Sequence, residues 1–343
     1  MKMNLTDFTA IIQQNENLTR AQMNDAARCL FQQIDDVEVV RQFLMSLHAK
    51  GETVEEIVGL VDIVQSMQTT PPSVQDTYFD NCGTGGDQLN TFNISTTTAF
   101  VLAGAGVKVA KHGNRKISSQ AGSSDVLEAL HINVNQSPKQ LIDQLNNIGI
   151  AFLHAPNFHP KLGLLKDIRS SIPHGTIFNL IGPLCNPLPL HAQIVGINRL
   201  DLLETYTHAL QLLGRKRAIV VSGNCRLDEV SISGITHYAL LQNEEITLHQ
   251  AQPEQLGILS VSMEDIVGGT PEENAEILIN VLKGQQSPYL QTVVLNAAFA
   301  FYANGSVDTL IAGKQLALQT IQSGAAYEKL KAVQQLHVKE GIA

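Results

Sequence analysis

The pattern of hydrophobic residues changes once along the chain, at the run Thr69-Thr70-Pro71-Pro72-Ser73. Consecutive prolines remove backbone donors and force an extended backbone, so a helix cannot continue through this run. Before it, hydrophobic residues recur with the helical period. After it, short apolar runs flanked by glycine alternate with helical stretches. We therefore expect a domain boundary or hinge here, with a helical domain over residues 1–72 and a larger domain over residues 73–343.

Amphipathic helices are predicted for the N-terminal domain. Their apolar faces are formed by Met23, Ala27, Leu30 and Phe31, by Val37, Val40, Phe43 and Leu47, and by Val54, Ile57, Val61 and Val64. The run Thr53-Val54-Glu55-Glu56 predicts a capping box, because Thr53 can accept from a free backbone N–H and Glu56 can reach back.

A parallel sheet with crossover helices is predicted for the larger domain. The candidate strands are residues 107–110, 193–197 and 218–221, the candidate crossover helices are 137–148 and 200–213, and further helix is expected at 295–302 and 309–336. Thr270-Pro271-Glu272-Glu273 is typical of a helix start, since threonine caps, proline suits the first turn and carboxylates face the positive end of the dipole. The expected fold class is α/β, with a small N-terminal helical domain and a larger α/β domain whose mainly parallel central sheet is flanked by helices.

Charge and cysteine content restrict the partners. With 23 Lys and Arg against 32 Asp and Glu, the net charge of −9 disfavours phosphodiester backbones, so we expect no nucleic-acid partner. No apolar stretch approaches the roughly 18 residues that span a bilayer, and residues 1–10 lack the features of a signal peptide. We expect no membrane partner and a cytoplasmic location. The 4 cysteines are far apart without a C-x-x-C pair, so any metal should be held by oxygen.

Four segments carry groups that suit phosphate or metal. Gly83-Thr84-Gly85-Gly86-Asp87 follows a predicted strand, where glycine N–H groups can form an anion nest or simply a tight turn. Hydroxyl groups of Ser95-Thr96-Thr97-Thr98 crowd a predicted helix N-terminus, as an anion site or as ordinary capping.

The other two segments follow later strands. Residues 111–119 place three cations and several hydroxyls in a loop, which is either a local anion site or a solvated surface loop. Asp228-Glu229 follows the predicted strand 218–221, where adjacent carboxylates suit Mg²⁺, or again only a solvated loop.

Together these segments resemble the anthranilate phosphoribosyltransferases of tryptophan biosynthesis over nearly the whole chain. The shared motifs are GTGGD from Gly83, TFNIST from Thr91, KHGNRKISSQAGSSDVLEAL from Lys111, TIFNLIGPLCNP from Thr176 and LDE from Leu227. The resemblance implies a glycosyltransferase that moves the phosphoribosyl group of phosphoribosyl pyrophosphate to the amine of anthranilate with Mg²⁺. It also implies a homodimer, and it leaves open docking to anthranilate synthase and a contribution of residues 170–195 to the helical domain.

The resemblance also implies the roles of individual residues. Phosphoribosyl pyrophosphate is assigned to Gly83, Gly86, Asp87, Thr91, Asn93, Ile94, Ser95, Thr96, Lys111, Asn114, Arg115, Ser118, Ser119 and Ser123. Anthranilate is assigned to Gly83, His112, Asn114 and Arg169, and Mg²⁺ to Ser95, Asp228 and Glu229, with Lys111 and His112 as the catalytic candidates. A guanidinium can bind a carboxylate through two parallel hydrogen bonds, which is a physical reason for assigning Arg169 to the carboxylate of anthranilate. For His112 we favour positioning of the amine. Catalysis should be electrostatic, with charge on pyrophosphate neutralised as the ribose acquires oxocarbenium character.

Three departures from the family pattern are visible: Gln88-Leu89 and Cys225-Arg226 stand where glycine-containing sequence is common, and Gly175 stands where arginine is usual. Two alternatives remain, a pyrimidine-nucleoside phosphorylase-like enzyme and a non-catalytic binding relative. The intact GTGGD, KHGNR and LDE motifs favour the transferase.

Overall fold

The computed structural model describes residues 3–69, 74, 76–114 and 121–339. The predicted hinge at Pro71-Pro72 lies outside these residues, as do Arg115, Ser118 and Ser119 of the predicted closing loop.

The N-terminal region is helical, as predicted. It contains α1 (Leu5–Gln13), α2 (Arg20–Gln32), α3 (Val37–Lys50) and α4 (Val54–Ser66). The capping box at the start of α4 is present, since Thr53 accepts from the Glu56 N–H and Glu56 accepts from the Thr53 N–H. The buried Glu56 carboxylate also accepts from Lys50 Nζ at 2.9 Å and from the Leu18 N–H at 3.0 Å. This one carboxylate therefore joins α4 to the end of α3 and to the segment before α2.

Seven strands form a single sheet. They are β1 (Tyr78–Gly83), β2 (Val109–Gly113), β3 (Ile150–His154), β4 (Leu190–Gly196), β5 (Arg217–Ser222), β6 (Thr236–Gln242) and β7 (Glu245–Ala251). The order is β3-β2-β1-β4-β5-β6-β7, with the first five strands parallel and the last two antiparallel. The predicted mainly parallel sheet is confirmed.

The β6–β7 hairpin was not predicted. Its two turn residues, Asn243 and Glu244, adopt φ values of 52° and 67°. A tight two-residue hairpin turn requires such positive φ angles and usually places glycine second. Because glutamate stands at that position, the sequence does not predict this turn.

Helices connect and cover the strands. They are α5 (Ile94–Gly104), α6 (Ser123–Ala129), α7 (Pro138–Ile148), α8 (Ala155–Phe158), α9 (Lys166–Ser170), α10 (Ile177–Ile181), α11 (Leu203–Leu212), α12 (Pro271–Leu282), α13 (Pro288–Asn304), α14 (Leu310–Gln322) and α15 (Ala325–Lys339). The predicted starts of α7 and α12 are confirmed, with caps at Ser137 and Thr270. Two boundaries differ. Residues 200–202 form a 3-10 turn before α11, and the Val107 N–H closes the end of α5 by donating to the Leu102 carbonyl, so β2 begins two residues later than predicted.

The two faces of the sheet pack against different helices. One face shares a core with α5, α12, α13, α14 and α15, and the other face of β4, β5 and β6 shares a core with α11, α9, α10 and the four N-terminal helices. The carboxyl ends of the parallel strands meet at one edge, where open α/β sheets bind their ligands. No helix in the described part of the chain combines enough length with enough apolar character to cross a membrane.

Candidate active site

A glycine-rich loop leaves the carboxyl end of β1. Gly85 and Gly86 have φ values of 69° and 85°, which favour glycine. The Gly85 N–H donates to Asp228 Oδ2 at 2.6 Å. A Cβ atom on Gly83 would lie 2.3 Å from that same oxygen, so only glycine allows this approach. The loop and the Asp228 carboxylate are thus held together, although the two lie far apart in the sequence.

Glu229 is joined to Lys111 through Ser95. The Glu229 carboxylate accepts from both the hydroxyl and the backbone N–H of Ser95, at the start of α5. Lys111 on β2 is buried, and its Nζ donates to Ser95 Oγ at 3.0 Å and to the Asn81 carbonyl. Burial raises the pKa of Glu229 to about 7, even though the Lys111 charge acts in the opposite direction. An anionic Glu229 therefore needs more positive charge than Lys111 supplies.

Asp228 is a second carboxylate under electrostatic strain. Burial, followed by the charges of Asp87 and Glu229, raises its pKa well above the usual value, and Asp87 also forms a hydrogen bond with it. A divalent cation would relieve this repulsion, and the oxygen donors are those that Mg²⁺ prefers. Among the residues that the structure describes, no three His, Cys, Asp or Glu side chains could hold a metal alone. Such a site fits an ion that also keeps waters and phosphate oxygens as ligands.

The start of α5 is less open than the sequence indicates. Asn93 occupies the cap position, but the side chains of Ile94 and Thr96 are buried, and the Ile94 N–H donates to the Phe92 carbonyl at 2.7 Å. Thr97 Oγ1 donates to the Asn93 carbonyl at 2.9 Å. The four consecutive hydroxyls therefore do not form a single row, because successive helical residues point in different directions.

The strand β2 also places His112. Its backbone N–H donates to Asp80 Oδ1 at 3.2 Å, and its Nδ1 lies 3.1 Å from the Gly182 carbonyl, so Nδ1 carries the proton. Burial and the nearby His159 lower the pKa of His112 to about 3. His112 is consequently neutral at physiological pH. Its Nε2 is buried and has no hydrogen-bond partner among the described residues.

Arg169 on α9 is anchored to the same segment that anchors His112. Its Nη2 lies 3.4 Å from Asn179 Oδ1, and its guanidinium lies over the Phe178 ring, 5.7 Å from the centroid. Its Nε is buried and has no partner within the described part of the chain. Residues 176–183 thus support both groups, and each retains a hydrogen-bonding atom for a ligand.

Three other predicted residues also make contacts within the described part of the chain. Ser123 Oγ donates to the Asn114 carbonyl at 3.0 Å, next to the undescribed residues 115–120. Thr91 forms an isolated bridge with Val267. Asn93 donates to the Ala121 carbonyl at 3.2 Å, so the start of α5 contacts the far end of the predicted closing loop.

Two of the three departures from the family pattern include residues with strained backbone. Gln88, Cys225 and Arg226 have φ values of 62°, 58° and 65°. These are left-handed conformations that favour glycine, which explains why glycine is common there. At Gly175 a Cβ atom would lie 3.7 Å from its nearest neighbour, a side-chain atom of Asn179, so a larger residue would fit.

Sequence reasoning missed a buried polar pair beneath the site. Asn186 Nδ2 donates to Asp80 Oδ2 and to the Ala110 carbonyl, both at 2.9 Å. Because Asp80 also accepts from the His112 N–H, this pair holds β1 against β2. Asn186 lies inside the motif TIFNLIGPLCNP, which was the available signal, but its partner is 106 residues away.

Two family models match this chain, one over the N-terminal helices and one over the larger α/β region. The helical bundle domain of the glycosyl transferase family matches residues 6–67, and the a/b domain of the glycosyl transferase family matches residues 75–327. The anthranilate phosphoribosyltransferase of Listeria monocytogenes is 48% identical over 92% of this chain and 93% of its own length. That of Exiguobacterium sibiricum is 47% identical over 94% of this chain and 95% of its own length.

Solved structures show the same architecture. The anthranilate phosphoribosyltransferase of Thermus thermophilus superposes with a TM-score of 0.90 at 32% identity, covering 97% of this chain and 99% of that one. The enzyme of Saccharomyces cerevisiae, solved in complex with PRPP and Mg, gives a TM-score of 0.88 at 25% identity, covering 95% and 96%.

Proposed function

This chain belongs to the anthranilate phosphoribosyltransferase family, and we propose that it transfers the 5-phosphoribosyl group of phosphoribosyl pyrophosphate to the amine of anthranilate. The products are N-(5-phosphoribosyl)anthranilate and pyrophosphate, and the reaction serves tryptophan biosynthesis. The observation that supports this proposal is that two hydrogen-bonded groups lie together at the carboxyl edge of the sheet. One is the Gly85–Asp228 hydrogen bond, and the other joins Lys111 through Ser95 to Glu229.

The pyrophosphate leaving group is received by the glycine loop and Lys111. The buried Lys111 ammonium supplies positive charge where the leaving group gains negative charge, and the positive φ angles of Gly85 and Gly86 shape the loop beside it. Asn93, Ser95 and Asn114 add polar groups around the phosphoribosyl end. Because Lys111 is fixed by two acceptors before substrate arrives, little reorganisation is needed during the reaction.

Asp228, Glu229 and Ser95 would hold Mg²⁺, with Asp87 beside them. Mg²⁺ bound there neutralises charge on the diphosphate oxygens. The protein's part is to place two carboxylates together at a position where burial raises the pKa of both.

The amine side of the reaction belongs to His112 and Arg169. An aromatic amine is neutral at pH 7, so no base is required before it attacks the anomeric carbon. The neutral His112 offers its Nε2 lone pair to an amine N–H and so orients the nitrogen. The Arg169 Nε–H, which has no partner among the described residues, points to a carboxylate acceptor such as that of anthranilate.

A fluorescence assay tests the function directly. The purified protein is mixed with anthranilate, phosphoribosyl pyrophosphate and Mg²⁺, and loss of anthranilate fluorescence is followed. Asp228→Ala/Glu229→Ala should abolish the loss, whereas Glu245→Gln, an exposed change at the start of β7, should not. No loss with folded wild type, or phosphate-dependent cleavage of pyrimidine nucleosides instead, would contradict the proposal.

We also propose a working arrangement for the whole chain. Residues 1–72, with part of 170–195, form the helical domain and residues 73–343 the α/β domain. Packing of α9 and α10 into the core of the N-terminal helices supports this division, and limited proteolysis near residue 72 tests it. We propose a homodimer, to be measured by light scattering, and docking to anthranilate synthase, to be measured by co-elution of the purified pair.

A further inference from the structure

A buried asparagine on α13 holds the backbone immediately after the two site carboxylates. Asn296 is 4% exposed. Its Oδ1 accepts from the Val230 N–H at 2.9 Å, and its Nδ2 donates to the Val230 carbonyl at 3.1 Å. Nδ2 also donates to the Thr292 carbonyl at 3.0 Å, which fixes the amide relative to its own helix. Both backbone polar groups of Val230 are therefore paired with one side chain.

Two strands also lie very close to this segment. A Cβ atom on Gly196 would lie 1.6 Å from the Asp228 carbonyl oxygen, and one on Gly83 would lie 2.3 Å from Asp228 Oδ2. Strands β1 and β4 therefore leave no room for a side chain beside Asp228, while Asn296 of α13 holds Val230 through two hydrogen bonds. The positions of Asp228 and Glu229 depend on both supports.

Asn296 also lines a small cavity that Glu229 lines. Asn81, Ser95, Glu229 and Asn296 line this cavity together. A side chain that only stabilised α13 would need no contact with this loop, since its helical bond to Thr292 would suffice. The paired bonds to Val230 are instead those of a group that sets the position of a neighbouring chain segment.

We propose that Asn296 is a positioning residue for the metal site, which acts by holding Val230 and thereby setting where Asp228 and Glu229 present their oxygens. This inference rests on the proposed function for the identity of the ion. Loss of a partner that orients metal ligands typically lowers metal affinity by about 10- to 100-fold. A loss of that size is expected here because the buried Val230 groups would be left unpaired and the loop would shift to satisfy them.

The test compares Asn296→Leu with Thr292→Val. Thr292 is buried one turn earlier on the same helix, and its hydroxyl bonds within the helix to the Pro288 carbonyl. Mn²⁺ binding, followed by electron paramagnetic resonance in the presence of phosphoribosyl pyrophosphate, gives a readout independent of turnover. We expect Asn296→Leu to raise the Mn²⁺ dissociation constant about 10- to 100-fold, and Thr292→Val to leave it unchanged. Turnover should recover in Asn296→Leu as Mg²⁺ is increased.

Several outcomes would decide against the proposal. A folded Asn296→Leu that binds Mn²⁺ like wild type would overturn it, and so would a rate loss that saturating Mg²⁺ does not reduce. If Asn296→Leu does not fold, Asn296→Ser gives the same comparison with a smaller, polar side chain. A wild type that binds Mn²⁺ but never consumes anthranilate would refute the proposed function, while the Mn²⁺ comparison would still decide the role of Asn296.

Discussion

Replacing Glu229 by glutamine should make the metal-free protein more stable at alkaline pH and inactive at every pH. Burial raises the pKa of Glu229 from 4.5 to about 7, and this increase corresponds to about 3 kcal/mol of unfolding free energy. A carboxyl group with a raised pKa contributes fully below pH 4.5, where it is protonated in both states, and the contribution is lost as the pH rises through 7. Glutamine keeps the shape and an oxygen for Ser95 but never becomes charged.

The assay is chemical denaturation in EDTA at about pH 5 and about pH 8. Glu229→Gln should exceed wild type by about 3 kcal/mol at the higher pH and by much less at the lower pH. Glu245→Gln, which changes an exposed carboxylate, should match wild type at both. Adding Mg²⁺ with phosphoribosyl pyrophosphate should stabilise wild type more than Glu229→Gln, because the variant lacks one carboxylate ligand of the ion. An advantage of Glu229→Gln that is equal at both pH values would refute the reasoning.

Four further changes probe other parts of the molecule. Arg226→Gly should raise the unfolding free energy by about 1 kcal/mol, because glycine relieves the φ of 65°, as measured by denaturant titration. Arg169→Lys should raise the KM for anthranilate about tenfold with little change in kcat, since an ammonium cannot replace a planar fork. His112→Gln should lower kcat without altering its pH profile between about pH 5 and pH 9, because a pKa of about 3 keeps His112 neutral throughout. His337→Leu should lower stability by about 1–3 kcal/mol, seen in thermal melts, since the Asn133 N–H loses its acceptor.

Much of the local structure is predictable from neighbouring residues. The capping box at Thr53 and the helix start with its cap at Thr270 formed as expected, because the groups involved lie within a few residues of each other. The helical period before residue 69 predicted the N-terminal helices, and the glycine-flanked apolar runs after it predicted the parallel strands β1, β2, β4 and β5 but not β3. The sequence did not predict the β6–β7 turn, because Glu244 stands where such turns usually have glycine.

The candidate site, too, has parts that the sequence predicts and parts that it does not. The motifs at Gly83, Ser95, Lys111 and Asp228 are readable one at a time, since each is a short pattern with its own chemistry. That these motifs lie close together in space cannot be predicted from any one of them, because it depends on β1, β2 and β5 ending at one sheet edge.

Tertiary structure alone also decided the charge states of the site residues and which backbone segments are fixed by side-chain hydrogen bonds. The pKa of Glu229 and the neutral state of His112 follow from burial, which depends on every element packed around them. Asn296 carries no motif that marks it, and its role arises from a contact with Val230, 66 residues away. The sequence by itself determined the elements and the chemical groups of this protein, because these depend on residues close together in the chain. Packing determined the environment that gives those groups their function, because it joins residues that are distant in the chain.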